Sequence, residues 1–185
     1  VGDAGDAGPC LTYFDDEAAF ASATSTITLD VEDFSRIADG SPTPNAFVIQ
    51  GGTYFYWHDR VTFETFGVNT TPGTNANTIA VGGNVAPTPS TIMAQIGSAT
   101  ARDAIVSSFT PGVSAAALRP SDDDGTQAYL LEVTATSGVS SFPVAAAHAP
   151  FVGVVSSCGA VIGTVTLSPP SPSGWWRLLD VTFGP

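Results

Sequence analysis

The chain has no lysine, one methionine, two cysteines and two histidines, and its five cationic side chains are all arginine. Each scarcity rules something out. Seventeen carboxylates leave a formal net charge of -12, so nucleic acid cannot be held by phosphate neutralisation and anionic membrane surfaces repel the chain. No apolar run approaches the roughly 18–20 residues of a membrane-crossing helix, which excludes membrane insertion of that kind. There is no C-x-x-C, and His58 and His148 have no ligand spacing, which disfavours a zinc-type centre. No G-x-S-x-G marks a nucleophile.

What fills the 185 residues is Thr, Ser, Val, Ala, Gly and Pro in short alternating runs. The length suits one domain with a sizeable core. Residues 1–10 open on a repeated Asp-Ala-Gly and read as a flexible arm of a mature or trimmed chain, ahead of a single domain over 11–185. In a Lys-free, Thr/Ser-rich β chain, Cys10 and Cys158 read as a disulfide typical of extracellular proteins. Closing so long a loop is worth about 4–5 kcal/mol in the chain-entropy account.

Only one segment looks helical. Phe14 to Ser22 carries carboxylates at its start, where the helix dipole favours them, and Asp15 or Asp16 suits a cap. Thereafter β signals dominate. Thr26 to Phe34 alternates, with Ile27, Leu29 and Val31 expected on the apolar face and Thr28, Asp30 and Glu32 opposite. Tyr129, Leu131 and Val133 alternate likewise with Leu130, Glu132 and Thr134. About ten to twelve short strands separated by turn signals predict an all-β antiparallel sandwich, jelly-roll-like, with one short N-terminal helix.

The stretches Phe14–Phe20, Leu29–Phe34, Asp59–Phe63, Asp124-Gly125, Phe151–Ser156 and Leu179–Gly184 together resemble exported bacterial sandwich domains of the type carried with a PEP-CTERM sorting tail. The resemblance implies a jelly-roll-like fold and a secreted or cell-surface location, and implies no enzyme activity. Residues 67–103 match nothing in that pattern.

Three constellations are candidates for function. Asp30 and Glu32 early and Asp180 late look similar to the carboxylates that hold structural calcium in jelly-roll carbohydrate-binding modules; otherwise they are solvent-facing strand carboxylates. Asp122-Asp123-Asp124-Gly125 lacks EF-hand spacing and reads as a solvated turn. The aromatic strand Tyr54-Phe55-Tyr56-Trp57-His58 sets Tyr54, Tyr56 and His58 on one face and Phe55 and Trp57 on the other. Tyr54, Tyr56 and His58, with Trp175 and Trp176, are the candidate ligand-binding residues, unless packing covers both faces. Asn69-Thr70-Thr71 is a glycosylation sequon.

The leading expectation is a non-catalytic extracellular domain that binds carbohydrate or a cell-surface polymer. The alternative is a structural subunit that assembles with copies of itself into a filament, sheath or matrix. A secreted hydrolase using His58-Asp59, or a pair among Glu32, Glu64 and Glu132, is a third reading, without any sequence mark of a catalytic centre.

Overall fold

The computed structural model describes residues 10–33, 48–50, 53–58, 60–66, 80–81, 92–94, 104–122, 128–145, 151–168 and 176–185. Residues 48–50, 53–58, 63–66, 80–81, 92–94, 121–122 and 176–177 are described as backbone. The expected N-terminal arm lies outside the described residues apart from Cys10, as do Trp175, the sequon and Asp123 to Gly125.

The order of elements is β1 (Leu11–Phe14), α1 (Glu17–Ala23), β2 (Asp30–Glu32), β3 (Val48–Gln50), β4 (Thr53–His58), β5 (Val61–Phe66), β6 (Ala80–Val81), β7 (Ile92–Ala94), β8 (Ala104–Val113), β9 (Ala115–Asp122), β10 (Tyr129–Ala135), β11 (Gly138–Val144), β12 (Val152–Ser156), β13 (Ile162–Ser168) and β14 (Trp176–Gly184). All pairings between them are antiparallel. The first sheet runs β1-β12-β9-β14-β7-β6, with β2 also on β14; the second runs β11-β10-β13-β8-β5-β4-β3.

Within this, β2-β14-β9-β12 in one sheet and β8-β13-β10-β11 in the other make an eight-strand jelly roll. The chain between β2 and β8 is an insertion. It widens the second sheet by β5, β4 and β3 and the first by β7 and β6. The β1–α1 segment is an addition at the opposite edge, beside β12.

The alternating strands produce the core directly. Tyr129, Leu131 and Val133 of β10 are buried, whereas Leu130 and Thr134 are exposed. They meet Ile105, Phe109, Val165 and Leu167 of their own sheet and Leu118, Val152, Val154, Leu178, Val181 and Phe183 of the facing one. Burial of these side chains is the main stabilising contribution to the sandwich.

Two local expectations are corrected. Phe14 ends β1 rather than opening the helix, and Asp16 is the cap, its Oδ1 accepting from Ala19 N at 2.7 Å. The strand expected over 26–34 shrinks to Asp30–Glu32, and its faces are reversed: Val31 is 56% exposed and Glu32 5%. Ile27 and Leu29 are still partly buried, but they pack on the outside of the first sheet, where Gly184 leaves room. A Cβ on Gly184 would stand 2.7 Å from Ile27 Cγ2.

The disulfide forms, joining Cys10 to Cys158 across 148 positions with Cα atoms 5.2 Å apart. It fastens the start of β1 beyond the end of β12, where Ser157 N also donates to Cys10 O. No helix among the described residues is long and apolar enough to cross a membrane.

Candidate ligand-binding face

Pleating places cross-strand partners on the same side of a sheet. In the second sheet this puts residues of one kind into rows. One row runs Trp57, Thr62, Ser108, Thr164, Thr134 and Val139, across β4, β5, β8, β13, β10 and β11. The next runs Phe55, Glu64, Val106, Thr166, Glu132 and Ser141. Six strands at about 4.8 Å spacing span about 24 Å.

These rows form the outer face. Ser108, Thr164 and Thr166 are half-buried, Thr134 and Ser141 exposed, while their strand neighbours Ser107, Val165 and Val133 are fully buried. Among the described residues, nothing packs across this face. It offers hydroxyl groups, which both donate and accept, and the carboxyl oxygens of Glu132, which accept.

The same register locates the aromatic strand. Tyr54, Tyr56 and His58 pair with Thr65, Phe63 and Val61, which pair in turn with the buried Ile105, Ser107 and Phe109. That row therefore lies in line with the core, and Phe55 and Trp57 are the aromatic residues in line with the outer face. The side chains of all five lie outside the described ones. Trp176 is at the start of β14, opposite Asp122 on β9 and Ala94 on β7.

The three acidic candidates are not brought together. Asp30 and Glu32 pair with Phe183 and Val181, which belong to the core, and so stand on the inner side of the first sheet. Asp30 is bound by Arg60 at 2.9 Å, and that guanidinium lies 5.6 Å above the Phe183 ring. Arg60 thereby ties the β4–β5 hairpin of the insertion to β2.

Asp180 is on the other side of the same sheet. A bulge in β14 sets Leu179 and Asp180 opposite Arg119, between the pairs Leu178–Pro120 and Val181–Leu118. Arg119 Nε is 3.2 Å from Asp180 Oδ2, and Arg119 Nη2 is 2.8 Å from Glu17 Oε1 on α1. Burial pushes the Asp180 carboxyl up; Arg119 opposes this, and the charges of Glu17 and Asp33 add to it. With the sheet between them, Asp30, Glu32 and Asp180 do not fit a shared calcium shell. Among the described residues, no group of three or more His, Cys, Asp or Glu is placed to hold a metal ion.

Arg119 is the residue that sequence reasoning missed. Its helix partner is 102 positions away, so no local pattern signals the bridge.

No family model and no curated protein matches the chain. A solved structure similar to it is a family two carbohydrate esterase from Cellvibrio japonicus, 10% identical with a TM-score of 0.37. The similarity covers 68% of this chain and 34% of that one, so the chain spans about a third of the esterase structure.

Proposed function

We propose that the protein is a non-catalytic extracellular domain that binds carbohydrate or a cell-surface polymer on the outer face of its second sheet. The observation that carries this reading is the pair of open, in-register rows, with Thr62, Ser108, Thr164 and Thr134 in one and Thr166 and Glu132 in the next. Polyhydroxylated chains are recognised by hydroxyl and carboxylate groups at fixed spacing together with an aromatic ring for the apolar face of a sugar. Trp57 and Phe55 stand at the β4 end of the two rows by register.

Export is supported by the Cys10–Cys158 bond, since such bonds persist outside the reducing cytosol. It is also what the resemblance to exported sandwich domains implies. Assembly through the edge strand β11 is the weaker reading, because Pro143 removes a backbone donor from that edge.

The test is affinity electrophoresis of the native protein through gels carrying neutral polysaccharides, beside Trp57→Ala and Thr164→Arg. Retardation of the native protein by at least one polymer is expected, with several-fold weaker retardation of both variants. Retardation by none, or equal retardation of all three proteins, overturns the reading.

A further inference from the structure

The outer face of the second sheet changes in kind along β5 and β10 and repeats across the sheet. On β5 the positions in line with that face run Thr62, Glu64, Phe66, and on β10 they run Thr134, Glu132, Leu130. Register sets the two series side by side, so Thr62 shares a row with Thr134, and Glu64 with Glu132. The third row continues the trend: Phe66 pairs with Ala104 at one end, and Leu130 lies between Ser168 and Pro143 at the other. Leu130 is 37% exposed, and Pro143 is exposed as well. The face therefore has a hydroxyl band, a middle band with the two glutamates, and a band that opens apolar side chains to water. Steps within a band are about 4.8 Å, one strand to the next, whereas steps between bands are about 6.7 Å, two residues along a strand. Among the described residues, none forms a hydrogen bond or ion pair with the side chain of Ser108, Thr164, Thr134 or Glu132.

Resting on the reading of this face as a carbohydrate surface, we propose that its ligand is a linear, extended polysaccharide bound by an internal stretch, its axis laid across the strands along the bands. A sugar ring in such a chain turns hydroxyls to its edges and C–H groups to its faces, and the pattern recurs at every repeat. Laid along the bands, the chain keeps hydroxyls beside Thr62, Ser108, Thr164 and Thr134, and apolar surface towards Leu130, over its whole bound length. Laid along β10, it would pass from Thr134 through Glu132 to Leu130, and its repeat would meet a different chemistry at each step. Because nothing among the described residues packs across the face, the chain can enter and leave without presenting an end. A strand-parallel ligand would be best served by β13, which carries Thr164, Thr166 and Ser168; such a ligand would not reach Thr62, two strands away on β5.

The test uses the full chain. Xylan, glucomannan and mixed-linkage β-glucan are tried in affinity gels, and the dimer-to-octamer series of each polymer that retards the native protein is titrated by calorimetry. Affinity is expected to grow about tenfold from the dimer to the oligomer that spans the six strands, about 24 Å, and then to level off. Thr62→Val and Thr134→Val, three strands apart, are each expected to weaken octamer binding about threefold. Opening the terminal sugar of the octamer by borohydride reduction is expected to leave its affinity unchanged. A dimer that binds as tightly as the octamer overturns the proposal, as does an octamer weakened by only one of the two variants or by loss of its terminal ring. These outcomes leave the carbohydrate reading standing, whereas retardation by none of the polymers removes that reading and this inference together.

Discussion

The two outer faces of the sandwich are built by opposite rules. On the first sheet, Ala115, Ala117, Gly153 and Gly184 present almost no side-chain volume, and a second layer fills the space above them. Phe20 sits on Gly153 so closely that a Cβ there would be 2.6 Å from its ring. Phe14 meets Phe20 edge-on at 5.9 Å, and Phe151 meets it at 5.4 Å. On the second sheet the equivalent positions among the described side chains are mostly threonine, serine and glutamate, with Val106 and Val139 among them, and they are half-buried or exposed. Small residues in a strand announce a covering layer; β-branched polar ones announce a surface.

This contrast predicts unequal responses to substitution. Phe20→Ala empties the socket over Gly153 and is expected to cost about 3–5 kcal/mol in urea denaturation. A loss below about 1 kcal/mol would mean that the α1 layer adds little to the fold. Ser107→Ala probes the layer between the sheets: the hydroxyl of Ser107 is buried without a hydrogen-bond partner among the described residues. The substitution is expected to raise stability by up to about 1 kcal/mol, and a clear loss would reveal a partner for that hydroxyl. Thr134→Val on the open face is expected to change stability by less than about 0.5 kcal/mol. A large loss there would show that the second sheet is covered after all. The smallest effect is expected from chelation. Asp30 and Asp180 already have arginine partners, so EDTA should leave the melting temperature unchanged. A fall would return the calcium reading to those carboxylates.

Much of the fold was legible in the chain because period-two alternation reports burial directly. β10 shows this best, with Tyr129, Leu131 and Val133 inward as their spacing requires. The disulfide was legible from composition, and the helix cap from the Asp15-Asp16-Glu17 run. Alternation failed at β2, where Ile27, Leu29 and Val31 do repeat at every second position. There the burial of Ile27 and Leu29 is decided by Gly184, a residue on the last strand, and Val31 has no such neighbour among the described residues. Sequence could pair Tyr54 with Tyr56 on one face of a strand, but which face meets the core is set by the register with β5 and β8. Asp180 looked like a partner of Asp30 until the bulge in β14 set the two on opposite sides of one sheet.

The bond from Cys10 to Cys158 also alters what a protease can release. Without lysine, and with Pro120 protecting the bond after Arg119, a trypsin-like enzyme has Arg36, Arg60, Arg102 and Arg177 to cut after. The first three lie inside the covalent ring closed by sulfur. A single nick at any of them leaves the fragments joined, and a non-reducing gel shows a band of unchanged mass. Arg177 lies outside the ring, so a cut there is not held by the disulfide, and it severs most of β14, which is hydrogen-bonded to β9 and β2, from the rest.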